Sequence, residues 1–196
     1  MIGVDRLDVL QPRLEGLWLV VYFPDRSKAT FLPLFPAGTA GGAANFAGIE
    51  DEFKLDETGA PDPGFLRKLQ NRQIWWTGYI LFDEKTITQS VDDLGGLPVS
   101  KGRLPGVQDG AQAVQSLTHP WQDPDAALQG QTGLVRSVCS IAANSSFFPD
   151  LSRSYQLVSS HIRSDFEVLQ YLQDWIHAMG GLENLECEFP LAEKLP

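Results

Sequence analysis

Asp5 closes a short apolar opening, and Arg13 and Glu15 stand two apart where the next apolar run begins. Alternate residues of a strand share a face, so this spacing sets a guanidinium beside a carboxylate. The pair is either an ordinary surface salt bridge or a functional one, since carboxylates hold cations and arginine grips phosphate. Asp5, at a strand end, is likewise a common turn residue or a carboxylate available to a metal. Much further along, His119-Pro120-Trp121 places a histidine next to an aromatic ring. Such a histidine is a plain loop residue or a cation that switches near neutral pH. Trp75, Trp76 and Trp121 offer faces that stack on sugars or line a lipid pocket. Core packing is expected for at least one of the adjacent pair, because successive strand residues point to opposite sides.

Other chemistries are poorly served. The segment from Gly38 to Gly48 is rich in Gly and Ala, as loops bordering sites often are, but it lacks Gly-Lys-Ser/Thr and G-x-G-x-x-G, so it is no phosphate cradle. Cys139 and Cys187, far apart and in no Cys-x-x-Cys arrangement, form neither a zinc knuckle nor a redox motif. Cys139 lies in an apolar helical run and reads as a buried free thiol; spacing does not decide against a disulfide. A formal net charge of −10, with no basic run, excludes a nucleic-acid surface. No segment approaches the ~20 apolar residues of a membrane span. Gly3 arrives with so little lead-in that the reading favours a truncated start, with an anchor upstream of Met1.

The elements that position these residues follow from pattern. At 196 residues, with 43% hydrophobic and 20% charged, the chain suits one soluble domain over residues 1–196. Leu17 to Phe23 and Ala29 to Phe35 read as a hairpin, and Ile74 to Phe82 as a buried strand. Asp83 is the expected N-cap of a helix carrying Ile87, Val91 and Leu94 on one face, stopped by Gly95-Gly96. Helices are expected over Pro63–Gln70, Val107–Leu117, Leu128–Ala142 and Phe166–Met179, with Tyr155–His161 a further candidate. Leu185 to Phe189 alternates as a last strand. Strands interleaved with helices predict an α/β domain.

Taken in order, these segments resemble the LytR–CpsA–Psr (LCP) family over nearly the whole chain. Ile2-Gly3-Val4-Asp5 resembles the family's Leu-Gly-hydrophobic-Asp strand end. Arg13-Leu14-Glu15 and the apolar run after it resemble Arg-x-Asp-Thr and its strand. Ile74 to Val99, ending Asp92-Asp93-Leu94-Gly95-Gly96, resembles the family's strand–helix–Asp-Ala-Leu-Gly-Gly-Val block. The resemblance implies a layered α/β/α domain with a central mixed sheet flanked by helices, on the extracytoplasmic face of a bacterial membrane. It implies transfer of a glycopolymer from a polyprenyl pyrophosphate carrier to peptidoglycan, with Mg²⁺ held by carboxylates and arginines on the phosphates.

By that resemblance Asp5 and Glu15 stand for the metal side, Arg13 for a catalytic arginine, and Gln131 for a ligand-binding polar residue. His119 and Trp121 are the further ligand-binding candidates. The rest of the arginine cluster is gone: Ala37-Gly38 replaces Arg-Asp, Leu117-Thr118-His119-Pro120 replaces Val-Arg-Tyr-Arg, and Ala127 to Thr132 replaces Arg-x-x-Arg-Gln-Gln. Charge-assisted hydrogen bonds contribute roughly 1.5–3 kcal/mol each, so these losses argue for a degenerate phosphotransferase. The expected function is binding of a polyprenyl-linked lipid, an envelope glycan or a protein partner, with no nucleic acid and with membrane contact only through the missing anchor. Two alternatives stand beside it: an active Mg²⁺-dependent transferase using Asp5, Glu15 and Arg13, and an interaction domain without a small ligand.

Overall fold

A computed structural model describes residues 1–23, 26–36, 46, 48–93, 95–101, 104–143, 162–168, 170 and 185–190. Among them, six strands form one mixed sheet: β1 (Ile2–Val4), β2 (Leu14–Phe23), β3 (Lys28–Phe35), β4 (Ile80–Asp83), β7 (Arg163–Ser164) and β8 (Glu186–Glu188). Their spatial order is β7-β4-β1-β2-β3-β8. β1 runs antiparallel to β2 and parallel to β4, while β2 and β3 form the expected antiparallel hairpin. A separate ribbon pairs β5 (Leu97–Lys101) with β6 (Leu104–Gln108). The helices are α1 (Pro63–Asn71), α2 (Glu84–Asp93), α3 (Gly110–Gln115) and α4 (Pro124–Ala143).

The layering is visible at Leu17 and Trp18, neighbours on β2 that enter opposite cores. Leu17 packs with Ile2, Val4 and Leu81 of the sheet and with Phe65 and Leu69 of α1. Trp18 packs with Ala29 and Phe31 and with Leu128 and Cys139 of α4. One face of the sheet therefore carries α1 and the other α4, the layered α/β/α arrangement expected. A third apolar cluster, Val91, Leu97, Ala113 and Ile141, locks α2, β5, α3 and α4 together.

Local chemistry explains the element starts. Asp62 accepts from Gly64 N–H and Pro63 opens α1 with its φ already helical. Asp83 accepts from Thr86 N–H and Thr86 Oγ1, so it does cap α2. Gly95 and Gly96 then take φ of 76° and 94°, a left-handed stop that side chains resist. Asp92, in the same motif, accepts from Gly110 N–H and fastens α3 to the end of α2.

Four expectations are corrected. The strand expected over Ile74–Phe82 is only Ile80–Asp83, because its partners β1 and β7 offer three and two residues of ladder. In the lost part, Trp75 is exposed and Trp76 packs against the α1 core. The helix expected over Val107–Leu117 is confined to Gly110–Gln115, since Asp109 caps it and Leu104–Gln108 belongs to β6. The helix expected from Leu128 begins at Pro124, where Asp123 accepts from Asp125 and Ala126 N–H and the proline occupies the first turn. Cys139 is not a free thiol; it is disulfide-bonded to Cys187, tying α4 to β8. The Tyr155–His161 helix, nearly all of the Phe166–Met179 helix, Leu94, and the Gly38–Gly48 loop apart from Phe46 and Gly48 lie outside the described residues.

Candidate functional site

Because β1 and β4 are parallel, their carboxyl ends share one edge of the sheet, and antiparallel β2 begins at that same edge. Asp5 leaves β1 there, Arg13 and Glu15 enter β2, and Asp83-Glu84 leads from β4 into α2. The connection between α3 and α4 brings His119 and Trp121 over the same edge. Carboxyl edges of parallel strands are where α/β sheets commonly bind ligands.

Glu15 and His119 meet directly. His119 Nδ1 is 3.3 Å from each carboxylate oxygen; its geometry makes a hydrogen bond with Oε2 and leaves Oε1 buried without one. The imidazole stacks on Trp121, centroids 4.3 Å apart and planes 9° from parallel. The Arg13 guanidinium carbon lies 4.9 Å from the Trp121 ring centroid, a cation–π distance. Trp121 stays half-exposed. Arg13 and Glu15 are thus not a salt bridge with each other: each turns to a residue of the α3–α4 connection.

Burial pushes the Glu15 carboxyl up to about 6; the hydrogen bond and charge of His119 pull it back, and Glu84 and Asp5 push it further. Burial also raises Glu84, with His119 opposing and Asp5 and Asp83 adding to the rise. The site is therefore an excess of carboxylate around one imidazole.

The remaining candidates sit beside this centre. Asp5 Oδ1 accepts from Arg6 N–H and Arg13 N–H, both at 2.9 Å, so this carboxylate shapes the turn into β2 and adds charge to the site. Gln131 reaches from α4 to donate to the Glu15 main-chain oxygen at 2.7 Å and to accept from Trp18 Nε1 at 2.9 Å. Both ends of its amide are engaged, and its work is to hold the start of β2. Ala37 and Gly38 lie outside the described residues.

Sequence reasoning missed Glu84. It follows the N-cap Asp83 at a strand end, the same kind of position as Asp5, and that parallel is the signal that could have found it. Among the described residues, Glu15, Glu84 and His119 bring one donor atom each within 4.8 Å of one another. With Glu15 Oε1 lacking a hydrogen bond, this set fits a cation. One nitrogen and two oxygens is a mixed donor set, whereas Mg²⁺ prefers oxygen in near-ideal octahedral geometry.

No family model matches the chain, and no curated protein matches it. Solved structures do. A LytR-Csp2A-Psr enzyme from Actinomyces oris superposes with a TM-score of 0.63 at 14% identity, over 91% of this chain and 73% of its own. TagV of B. subtilis gives 0.64 at 12% identity, over 95% and 80%. TagT bound to LIIa-WTA gives 0.60 at 15%, over 96% and 74%. At such identities the likeness establishes the fold, which is the one the LCP resemblance implied.

Proposed function

We propose that this chain is an envelope domain that binds a polyprenyl-linked glycopolymer through its sugar portion without transferring the phosphate. The observation that carries the reading is the make-up of the site among the described residues: the Arg13 guanidinium over a half-exposed Trp121, beside Glu15, Glu84 and His119, with Arg6 paired to Asp5 at its margin. Pyrophosphate binding wants several charge-assisted donors, and here carboxylates dominate in a protein of net charge −10. Sugars suit such a surface, because their hydroxyls donate to carboxylates, and the exposed part of the Trp121 indole, whose ring already stacks with His119 and carries Arg13, adds apolar contact. The TagT structure bound to LIIa-WTA supports a glycopolymer as the class of ligand. The Cys139–Cys187 bond supports an oxidising, extracytoplasmic setting. Among the described residues no helix is long and apolar enough to cross a membrane.

The test is binding of a fluorescent polyprenyl-pyrophosphate glycan and of the free glycan, with release of the lipid followed in parallel. Both should bind, Trp121→Ala should weaken both at least about tenfold (~1.4 kcal/mol), and no lipid should be released. Absence of binding, or equal binding by the variant, overturns the reading. The second reading, an active Mg²⁺-dependent transferase, rests on Arg13 and Glu15 standing where the resemblance puts Arg-x-Asp. Lipid release that needs Mg²⁺ and disappears in Arg13→Ala would establish it.

A further inference from the structure

We propose that Glu15, Glu84 and His119 form a site for one divalent transition-metal cation of the zinc class. The three residues come from three elements far apart in sequence: the entrance of β2, the first residue of α2 and the α3–α4 connection. Their donor atoms nonetheless lie within 4.8 Å of one another. A zinc ion with bonds of about 2.0–2.2 Å holds tetrahedral ligands roughly 3.4 Å apart. The Glu15–His119 distance of 3.3 Å already meets that spacing, and a Glu84 oxygen lies within 4.8 Å of the donor atoms of both.

A second observation points the same way. Glu15 Oε1 is buried with no hydrogen bond, and buried polar atoms without partners are rare enough to call for a missing one. Protein donors do not fill it: His119 Nδ1, 3.3 Å away, makes its hydrogen bond with Oε2, the Arg6 and Arg13 N–H groups are spent on Asp5 Oδ1, and Thr86 N–H on Asp83 Oδ1. Those two aspartates add negative charge around the cluster without being free to ligate through these oxygens.

The donor set chooses the cation. Imidazole with carboxylates suits zinc and its neighbours, while Mg²⁺ retains waters and takes oxygen donors. Three protein ligands leave a position for water or a ligand oxygen. Outer contacts hold two of the three in place: Gln131 grips the Glu15 main chain, and Asp83 caps the helix that Glu84 begins.

The experiment uses the whole chain, chelated and then titrated with Zn²⁺ or with Mg²⁺ by calorimetry, with melting followed alongside. One Zn²⁺ per chain is expected, with a rise in melting temperature, and Mg²⁺ at the same concentration should produce neither. Glu84→Gln and His119→Gln, each checked for unchanged melting in chelator, should weaken Zn²⁺ binding at least about tenfold. If one variant fails to fold, the other decides alone. No saturable 1:1 binding, unchanged affinity in the folded variants, or Mg²⁺ binding as tight as Zn²⁺ overturns the proposal. No polymer is present in this measurement, so its failure leaves glycopolymer binding standing, and the reverse holds too.

Discussion

His119 Nδ1 lies 3.3 Å from both carboxylate oxygens of Glu15, although 104 residues separate them in the chain. The contact joins the entrance of the second strand to the connection between the third and fourth helices. It makes a largely buried carboxylate and a half-exposed imidazole one unit, in which burial raises the Glu15 carboxyl and His119 opposes the rise.

Stability should fall as pH rises through the range 4.5 to about 6. Glu15 ordinarily titrates at 4.5 and is pushed to about 6 by burial in the fold, so the folded chain holds this proton more tightly than the unfolded one. That contribution is complete below pH 4.5 and is lost as pH passes about 6. Glu15→Gln, which stays neutral, should flatten this part of the profile. Thermal melts from pH 4 to 7 in chelator, on both proteins, measure the difference; parallel curves would refute the assignment.

Gln131→Ala should cost about 1–3 kcal/mol. It leaves the buried indole N–H of Trp18 without its acceptor and the Glu15 main-chain oxygen without its donor. Urea unfolding reads the loss. Because Gln131 positions Glu15, the same variant should also bind a site ligand more weakly, whereas a residue serving stability alone would leave binding unchanged.

Gly110→Ala should be among the most damaging single substitutions, at about 3 kcal/mol. A β-carbon there would stand 2.0 Å from the main-chain oxygen of Thr88, which as backbone cannot move aside. The close approach lets Asp92 reach Gly110 N–H at 2.7 Å. Circular dichroism melts of the variant would show the expected drop.

The sequence makes the hairpin, the first two helix starts and the glycine stop readable because each is fixed by neighbours in the chain. Asp62-Pro63 and Asp83 are local caps, and Leu17 to Phe23 is apolar enough to declare a strand on its own. Ile74–Phe82 was less readable because composition says nothing of how long a partner is, and β1 is three residues. The β5–β6 ribbon hides behind Pro98 and Pro105; prolines argue against central strands, yet a two-stranded ribbon is all edge and accepts them. In the site, Arg13, Glu15, His119 and Trp121 were visible as chemistry-bearing types, but Glu84 was not. A glutamate in a first helical turn has a sufficient local reason in the helix dipole. Only the parallel pairing of β1 with β4 sets it beside Glu15.

Reducing the Cys139–Cys187 bond should lower stability by about 2–4 kcal/mol, as expected for a bridge across 48 residues. The bond staples helix α4 to strand β8, itself only three residues long. Melting with and without reductant, compared with the Cys139→Ala/Cys187→Ala double variant, would report it; a reductant effect that persists in the double variant would place its cause elsewhere.

Asp83 performs two tasks at once, and its removal should disturb the site as well as the fold. One oxygen caps α2 through Thr86 N–H and Oγ1, both at 2.8 Å, while the other accepts from Leu7 N–H at 3.3 Å. The same carboxylate therefore fixes where Glu84 begins its helix and where the turn after Asp5 lies against it. Asp83→Ala should cost about 1–2 kcal/mol from the cap. Asp83→Asn keeps an acceptor for the cap and should recover most of that loss. If Asp83 only stabilised α2, the asparagine variant would also restore ligand or cation affinity to the wild-type level. Because an amide presents only one oxygen, it can serve the cap or Leu7 and not both, so affinity should stay reduced while melting recovers. Melting and titration on the three proteins separate these outcomes.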